Sequence, residues 1–137
     1  MAQIMLYEAI EQLGGSIRLF RKLAEGFILN YHQVDESIME QYDKNLSEAR
    51  RLAHSMKGLS GNLGAGSLLE KAKELELSLK QVLENSDNYL KPEYDILTKH
   101  DAFKFELEDT IKQLNKILTY SDEEINQSKN IEELLSN

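Results

Sequence analysis

The chain of 137 residues carries 16 basic side chains against 24 acidic ones, which gives a formal net charge of -8. This balance disfavours a general nucleic-acid binder, because such a protein needs a positive field along its contact surface. The sequence contains no cysteine, so disulfides, thiolate catalysis and cysteine-ligated metal sites are excluded. No apolar run approaches the roughly 20 residues of a membrane span, and the first residues lack a signal-peptide pattern. We expect one cytoplasmic domain that contacts neither nucleic acid nor membrane.

Apolar residues recur at helical spacing through nearly the whole chain. A short first helix has an apolar stripe that starts at Leu6, and Gly14 with Gly15 breaks it. A long second helix follows, because its stripe continues without interruption from Ile17 to Met39. We therefore predict one helix over this second stretch, ending shortly before residue 45.

The third helix begins at a capping box, since Asn45 is followed three residues later by Glu48. Glycines at residues 64 and 66 predict its end. One face of the helix is apolar or small and is predicted to lie in the core, at Ala49, Leu52, Ala53, Met56, Ser60 and Leu63.

Two further long helices and a tail complete the pattern. Ser67 is predicted to cap the fourth helix, and Pro92 suits the first turn of the fifth; residues 84–91 between them are predicted to turn. The apolar stripe of the fifth helix is predicted to run from Tyr94 and Leu97 to Leu118. Ser121 begins a third capping-box spacing, so the tail either forms a short helix or frays.

No stretch shows sustained alternation with β-branched residues, so the sequence predicts an all-α fold. We expect an up-down four-helix bundle over residues 1–120, with an additional short N-terminal helix. Residues 121–137 are expected to form a tail or a short C-terminal helix, to which the sequence assigns no role.

The third helix also has a polar face opposite its core stripe. Arg50, His54, Lys57, Gly58 and Gly61 share this face by their spacing. His54 should therefore point to solvent, with cations on both sides in a chain that is otherwise acidic. Neutral imidazole is a nucleophile near physiological pH, because its unperturbed pKa is about 6.5. It can accept a phosphoryl group, whose oxygens the Lys57 ammonium can then bind.

The glycines on the polar face have a cost and a use. Each glycine inside a helix is destabilising by roughly 0.5–1 kcal/mol relative to alanine. Gly58 and Gly61 leave the surface beside His54 without side chains, so a partner's active site can approach closely. We predict that both glycines serve access. Arg50 is a candidate for docking or for facing the phosphate, with an ordinary surface salt bridge as the alternative.

The stretch ARRLAHSMKGLSGNLGAGSLLEKAKELE, residues 49–76, closely resembles the histidine phosphotransfer (HPt) domain family. The family's hallmark runs roughly His-x-Leu-Lys-Gly-x-x-Gly-x-x-Gly, and His54, Lys57, Gly58 and two later glycines stand at its positions. The segments LGGSIRLFRKLAEGF and NLSEARRLAH also resemble the family, so the similarity covers about residues 5–84. Met56 departs from the usual leucine or isoleucine, a conservative change in a core.

The resemblance implies a function. Members are four-helix bundles that relay phosphate from a sensor or hybrid histidine kinase to response-regulator receiver domains. His54 would accept the phosphoryl group, Lys57 would stabilise it, and Gly58 would keep the docking face open. The family has no kinase or phosphatase activity of its own and no cofactor, since the aspartate and the Mg²⁺ belong to the receiver. A single face for transient docking suggests a monomer.

Three alternatives stay open at this stage. The chain could be the phosphotransfer domain excised from a chemotaxis-type histidine kinase, whose domains also carry a His-x-x-Lys-Gly motif. It could be a non-catalytic interaction bundle with a degenerate site. A metal-binding bundle would require His32, His54 and His100 to converge, although no HExxH-type pair exists.

Overall fold

A computed structural model describes residues 4–84 and 92–127. These residues form helices joined by short turns, with no β-strand among them and a single isolated bridge between Ile4 and Ala65. The helices are α1 (Leu6–Gln12), α2 (Ile17–Tyr31), α3 (Val34–Lys44), α4 (Leu46–Asn62), α5 (Gly66–Glu84), α6 (Pro92–Ile117) and α7 (Asp122–Gln127).

The long helices pack as a bundle in chain order. α3 packs on α4, α4 on α5 and α5 on α6, and α6 returns to contact α3 and α2. The core between them is apolar, with Phe20, Ile38, Met56, Leu75 and Phe103 fully buried. The predicted all-α four-helix bundle with short additional helices at both ends is confirmed. None of its described helices combines the length and apolar character that crossing a membrane requires.

The predicted second helix is two helices. α2 ends at Tyr31 and α3 starts at Val34, since Gln33 leaves the helical region at φ -120° and ψ 22°. The His32 ring lies 2.9 Å from the carbonyl oxygen of Ile28, through its Nδ1 atom. The prediction of one helix was wrong because only two residues, His32 and Gln33, separate the two helices. The apolar stripe keeps its spacing across it, and neither glycine nor proline marks the position.

The turn between α4 and α5 is a Schellman motif built on Gly64. Gly64 has φ +71°, and the amide of Ala65 donates to the carbonyl of Ser60 at 2.9 Å. A methyl group on Gly64 would lie 2.6 Å from the backbone oxygen of Met5, so no side chain fits. The predicted helix end is therefore confirmed. α5 begins at Gly66, one residue before the predicted cap Ser67, which lies inside its first turn.

The other predicted helix ends are mostly as expected. The Asn45 side chain accepts a hydrogen bond from the Glu48 amide at 3.2 Å and caps α4. α6 starts at Pro92 as predicted. Its predicted core stripe was wrong at its start, because Tyr94 is 75% and Leu97 44% exposed while Ile96 is buried. The turn predicted at residues 84–91 lies outside the described residues from residue 85 onward.

The described part of the tail forms α7. Ser121 and Glu124 exchange the two hydrogen bonds of a capping box, at 2.9 and 3.1 Å. Ile125 is buried, and Arg21 of α2 donates to Asp122 at 2.9 Å and to the carbonyl of Tyr120 at 2.5 Å. These contacts attach α7 to the bundle, so the packed structure extends past the boundary expected at residue 120.

Candidate functional site

His54 lies on the solvent-facing side of α4. Its side chain is 66% exposed, whereas Ala53 and Met56 on the opposite side of the helix are fully buried. The apolar side anchors α4 in the bundle and thereby fixes the direction in which the imidazole points. The predicted exposure of His54 is confirmed.

Glu76 of α5 is the central contact of His54. Its Oε2 atom lies 2.8 Å from Nδ1 of His54, and its Oε1 atom lies 2.6 Å from Nζ of Lys57. Arg50 adds a third cationic contact, with Nε 3.6 Å from Oε2. Glu76 itself is only 7% exposed. One buried carboxylate therefore holds three side chains of the polar face of α4.

The charge state of Glu76 decides the tautomer of His54. Burial by itself raises the pKa of the Glu76 carboxyl, but hydrogen bonds from Lys57 and His54 lower it by more, so the net pKa lies below its ordinary value. Glu76 is therefore ionised at neutral pH and can only accept hydrogen bonds. Nδ1 of His54 must carry the proton that it donates. In the neutral ring, the lone pair then lies on Nε2, away from Glu76.

The register of α4 against α5 is fixed by two contacts. His54 lies opposite Glu76, and Gly61 lies opposite Leu69, where an added methyl group would come 3.3 Å from Cδ1 of the leucine. Because the two helices are antiparallel, the residue three positions after His54 lies level with the residue three positions before Glu76. This step places Lys57 of α4 at the same level along the helix pair as Lys73 of α5.

The two glycines of the polar face have different surroundings. A methyl group on Gly58 would meet nothing within 4 Å, so this position is open to solvent beside His54. Gly61 lies under the Leu69 side chain, and its small size serves close packing of α4 on α5. The access role predicted for Gly58 stays consistent with its position. Gly61 is half-buried, and the access role predicted for it stays a prediction.

Two shallow grooves flank His54. The Gly58 groove is lined by His54, Ser55, Lys57, Gly58, Leu69 and Lys73. The Arg50 groove shares the histidine and both lysines and adds Arg50, Glu76, Leu77 and Lys80. His54, Lys57 and Lys73 are thus common to both grooves. The side chain of Leu77 is exposed and gives the second groove an apolar edge.

The two neighbouring arginines of α4 have different partners. Arg51 forms an ion pair with Glu48 on the helix surface. Arg50 instead reaches Glu76 across the seam. It belongs to the site, where it supports the carboxylate that holds His54.

Glu76 was missed from the sequence because it is 22 residues from His54. A signal was nevertheless present. Leu69, Lys73, Glu76 and Lys80 repeat on α5 the spacing that Gly61, Lys57, His54 and Arg50 have on α4. Folding the two helices about residue 65 brings the two sets together.

The other histidines do not join the site. His100 is largely buried, and its Nε2 lies 2.9 Å from the carbonyl oxygen of Asp35. His32 contacts its own helix. Across residues 4–84 and 92–127, no group of three or more histidine, aspartate or glutamate side chains is arranged to hold a metal ion.

Comparisons with known proteins add one finding. The family model of the Hpt domain matches residues 6–117, the greater part of the chain. Comparison with curated proteins gave no match, and neither did comparison with solved structures. The matched range contains α1 to α6, including every residue of the site around His54.

Proposed function

The chain belongs to the Hpt domain family, whose members act in two-component phosphorelays, and from this premise we propose that His54 carries the phosphoryl group. Nε2 is the accepting atom in this proposal. The observation that carries it is the 2.8 Å contact between Glu76 and Nδ1 of His54, which leaves the lone pair on Nε2 in a side chain that is 66% exposed.

The transfer is a displacement at phosphorus. The Nε2 lone pair attacks the phosphoryl group of a partner's aspartyl phosphate, and the bond between phosphorus and the aspartate oxygen breaks. The electrons of that bond leave with the aspartate, which becomes a carboxylate. Positive charge develops on the imidazole as the new bond forms, and the Glu76 carboxylate on Nδ1–H offsets it. The same steps in reverse pass the group to a second aspartate.

Lys57 is proposed to bind the transferred group. Its ammonium lies 2.6 Å from Oε1 of Glu76 and lines both grooves beside His54. An ammonium has three donors, so Lys57 can keep its contact with Glu76 while it donates to a phosphoryl oxygen. The side chain is 31% exposed, which leaves it within reach of a group on Nε2.

The proposed partners are receiver domains of response regulators and a sensor or hybrid histidine kinase. The Mg²⁺ and the aspartate that such transfer requires are expected in the receiver, so this chain needs no cofactor. Open space at Gly58 supports close approach of the receiver. We expect a monomer, because one exposed face suffices for alternating transient contacts.

A phosphotransfer screen against the receiver domains of the host tests the proposal. Each receiver is phosphorylated and mixed with the chain, and label on the chain is measured over time. Wild-type protein should gain an acid-labile, base-stable phosphate from at least one receiver and pass it to another. The control is His54→Gln, which should gain none.

Two results would contradict the proposal. Normal labelling of His54→Gln would place the phosphoryl group elsewhere. Binding of a receiver with equal affinity by the wild type and by His54→Ala, with no label on either, would indicate a non-catalytic interaction bundle.

A further inference from the structure

Lys73 lies closer to the proposed transfer site than its distance in sequence suggests. It is 19 residues after His54, on α5, and it lines both grooves that flank the imidazole. The register of the two helices puts it level with Lys57 across the seam. Two lysine side chains therefore line the same grooves beside one exposed nucleophile, although their like charges repel each other.

The charge of Lys73 is uncompensated, unlike that of its neighbours. On the same helix, Lys71 pairs with Glu74 at 3.2 Å and Lys80 approaches Glu84 at 3.9 Å. Lys57 is held by Glu76. In the described part of the chain, the exposed Lys73 side chain has no acidic partner. The Lys73 ammonium is therefore available to an anion in the grooves beside His54.

The charges beside His54 suit a dianionic phosphoryl group. Glu76 contributes one negative charge and its contacts Arg50 and Lys57 contribute two positive ones. A phosphoryl group on Nε2 brings about two negative charges at neutral pH, and the ring that keeps its Nδ1 proton then carries one positive charge. These groups together sum to zero, and Lys73 adds a further cation in the two grooves that flank the ring.

We propose that Lys73 is a second phosphate-binding residue, whose ammonium donates to the oxygens of a phosphoryl group on Nε2 of His54. The inference deepens the proposed function and rests on it. Lys57 and Lys73 approach the group from α4 and from α5, so its oxygens are held from both sides of the seam. Glu76 keeps the ring orientation fixed while they do so.

Phosphorylation without any protein partner separates this role from docking. Phosphoramidate serves as the donor: Nε2 takes its phosphoryl group, the P–N bond of the reagent breaks, and ammonia leaves. Labelling of His54→Gln under the same conditions gives the background from His32 and His100. The lifetime of the phosphohistidine is then followed by ³¹P NMR, together with the pH midpoint of its chemical shift.

Lys73→Ala should shorten the lifetime about fivefold, because loss of a charge-assisted hydrogen bond destabilises the charged phosphoryl group. The pH midpoint should rise, since a nearby cation favours the more ionised phosphate. Lys73→Arg should retain most of the wild-type lifetime and midpoint. Lys71→Ala removes an equal charge two residues away and should leave both values unchanged.

Equal lifetimes and midpoints for Lys73→Ala and wild type would overturn the inference. So would an equal change in Lys71→Ala, because the effect would then come from net charge rather than contact. Failure of the proposed function itself would look different. The wild type would then exchange no phosphate with any receiver, whatever residue occupies position 73.

Discussion

Glu76 organises the site at the scale of single residues. Its carboxylate contacts His54 and Lys57 within 2.8 Å, and Arg50 lies 3.6 Å away. The carboxylate is buried while its three partners stay partly exposed, so the hydrogen bonds must offset the cost of burying the charge. The residue therefore contributes both to the stability of the α4–α5 pair and to the orientation of the imidazole.

The pKa of Glu76 gives a pH-dependent prediction. That pKa lies below the ordinary value of 4.5 because the hydrogen bonds from Lys57 and His54 outweigh the effect of burial. The stability it contributes is therefore complete above about pH 4.5 and is lost as the pH falls through the lower folded-state pKa. Glu76→Gln should lower the free energy of unfolding by about 1–3 kcal/mol at pH 7. Between pH 7 and pH 3, the unfolding free energy of this variant should fall by less than that of the wild type. Urea denaturation at both pH values measures this.

Glu25→Gln is the matched control, since Glu25 is an exposed carboxylate on α2. It should keep the wild-type difference in unfolding free energy between the two pH values. A Glu76→Gln curve parallel to that of wild type would show that the buried carboxylate is not linked to folding.

How much of the site can be predicted from sequence depends on the distance between its residues along the chain. His54, Lys57 and Gly58 follow from helical spacing, because all lie within about one turn of each other. Glu76 and Lys73 are brought to them only by packing of α5 on α4. To predict that these two residues lie beside His54, one must know the register of α5 against α4. That register depends on the φ of Gly64 and on the contact of Leu69 with Gly61.

Among the helices, α4 and α5 together carry the candidate site. Their polar faces meet along the line where the two helices pack, and the Schellman turn at Gly64 sets the register between them. The remaining helices bury the apolar faces of this pair. A partner can approach His54 only over the part of the α4 surface that carries no large side chain. At Gly58, a larger side chain would obstruct this surface without disturbing the core.

Gly58→Leu should make the protein more stable and less active. A methyl group there meets nothing within 4 Å, and replacing glycine inside an exposed helix stabilises by roughly 0.5–1 kcal/mol. The leucine would stand beside His54 and obstruct a docking receiver. We expect a higher Tm, with transfer from a phosphorylated receiver slowed about tenfold or more, since small misplacements of reacting groups have large kinetic costs. Thermal denaturation and transfer kinetics measure the two effects.

Gly26→Leu on α2 is the matched control, because a methyl group there also meets nothing within 4 Å. It should raise the Tm without slowing transfer. Wild-type transfer kinetics in Gly58→Leu would contradict the access role of the glycine.

The helices themselves are largely predictable, and the exceptions have physical causes. The break at Gln33 leaves the apolar spacing intact, so periodicity does not reveal it. Tyr94 and Leu97 continue the helical spacing of α6 yet remain exposed. An apolar residue in the right phase is a candidate for the core, but which part of a long helix is covered depends on the neighbouring helices.

In the molecule as a whole, the bundle supports the site while the short helices α1 and α7 pack against the bundle. α1 contacts the α4–α5 turn, where the Met5 amide donates to the carbonyl of Gly64 at 2.8 Å. α7 packs on the other elements through the buried Ile125 and through the contacts of Arg21 with Asp122 and Tyr120. Neither α1 nor α7 contributes a residue to the grooves beside His54.

Ile125→Ala should therefore lower stability without affecting the site. Truncating a buried isoleucine to alanine typically costs about 2–5 kcal/mol, and a position on a short terminal helix falls at the low end. Denaturant unfolding should show this loss, while labelling of His54 by phosphoramidate proceeds as in wild type. Asn126→Ala, at an exposed neighbour, serves as the control and should change neither. A wild-type midpoint for Ile125→Ala would indicate that α7 does not pack on the bundle in solution.

The central claim is that Glu76 holds Nδ1 of His54 so that Nε2 receives the phosphoryl group. The most direct test is to phosphorylate the chain from a cognate phosphorylated receiver and to identify the phosphohistidine isomer by ³¹P and ¹⁵N NMR at alkaline pH, with His54→Gln as the blank. We expect a single phosphohistidine at His54, substituted on Nε2. Substitution on Nδ1, or on His32 or His100, would contradict it.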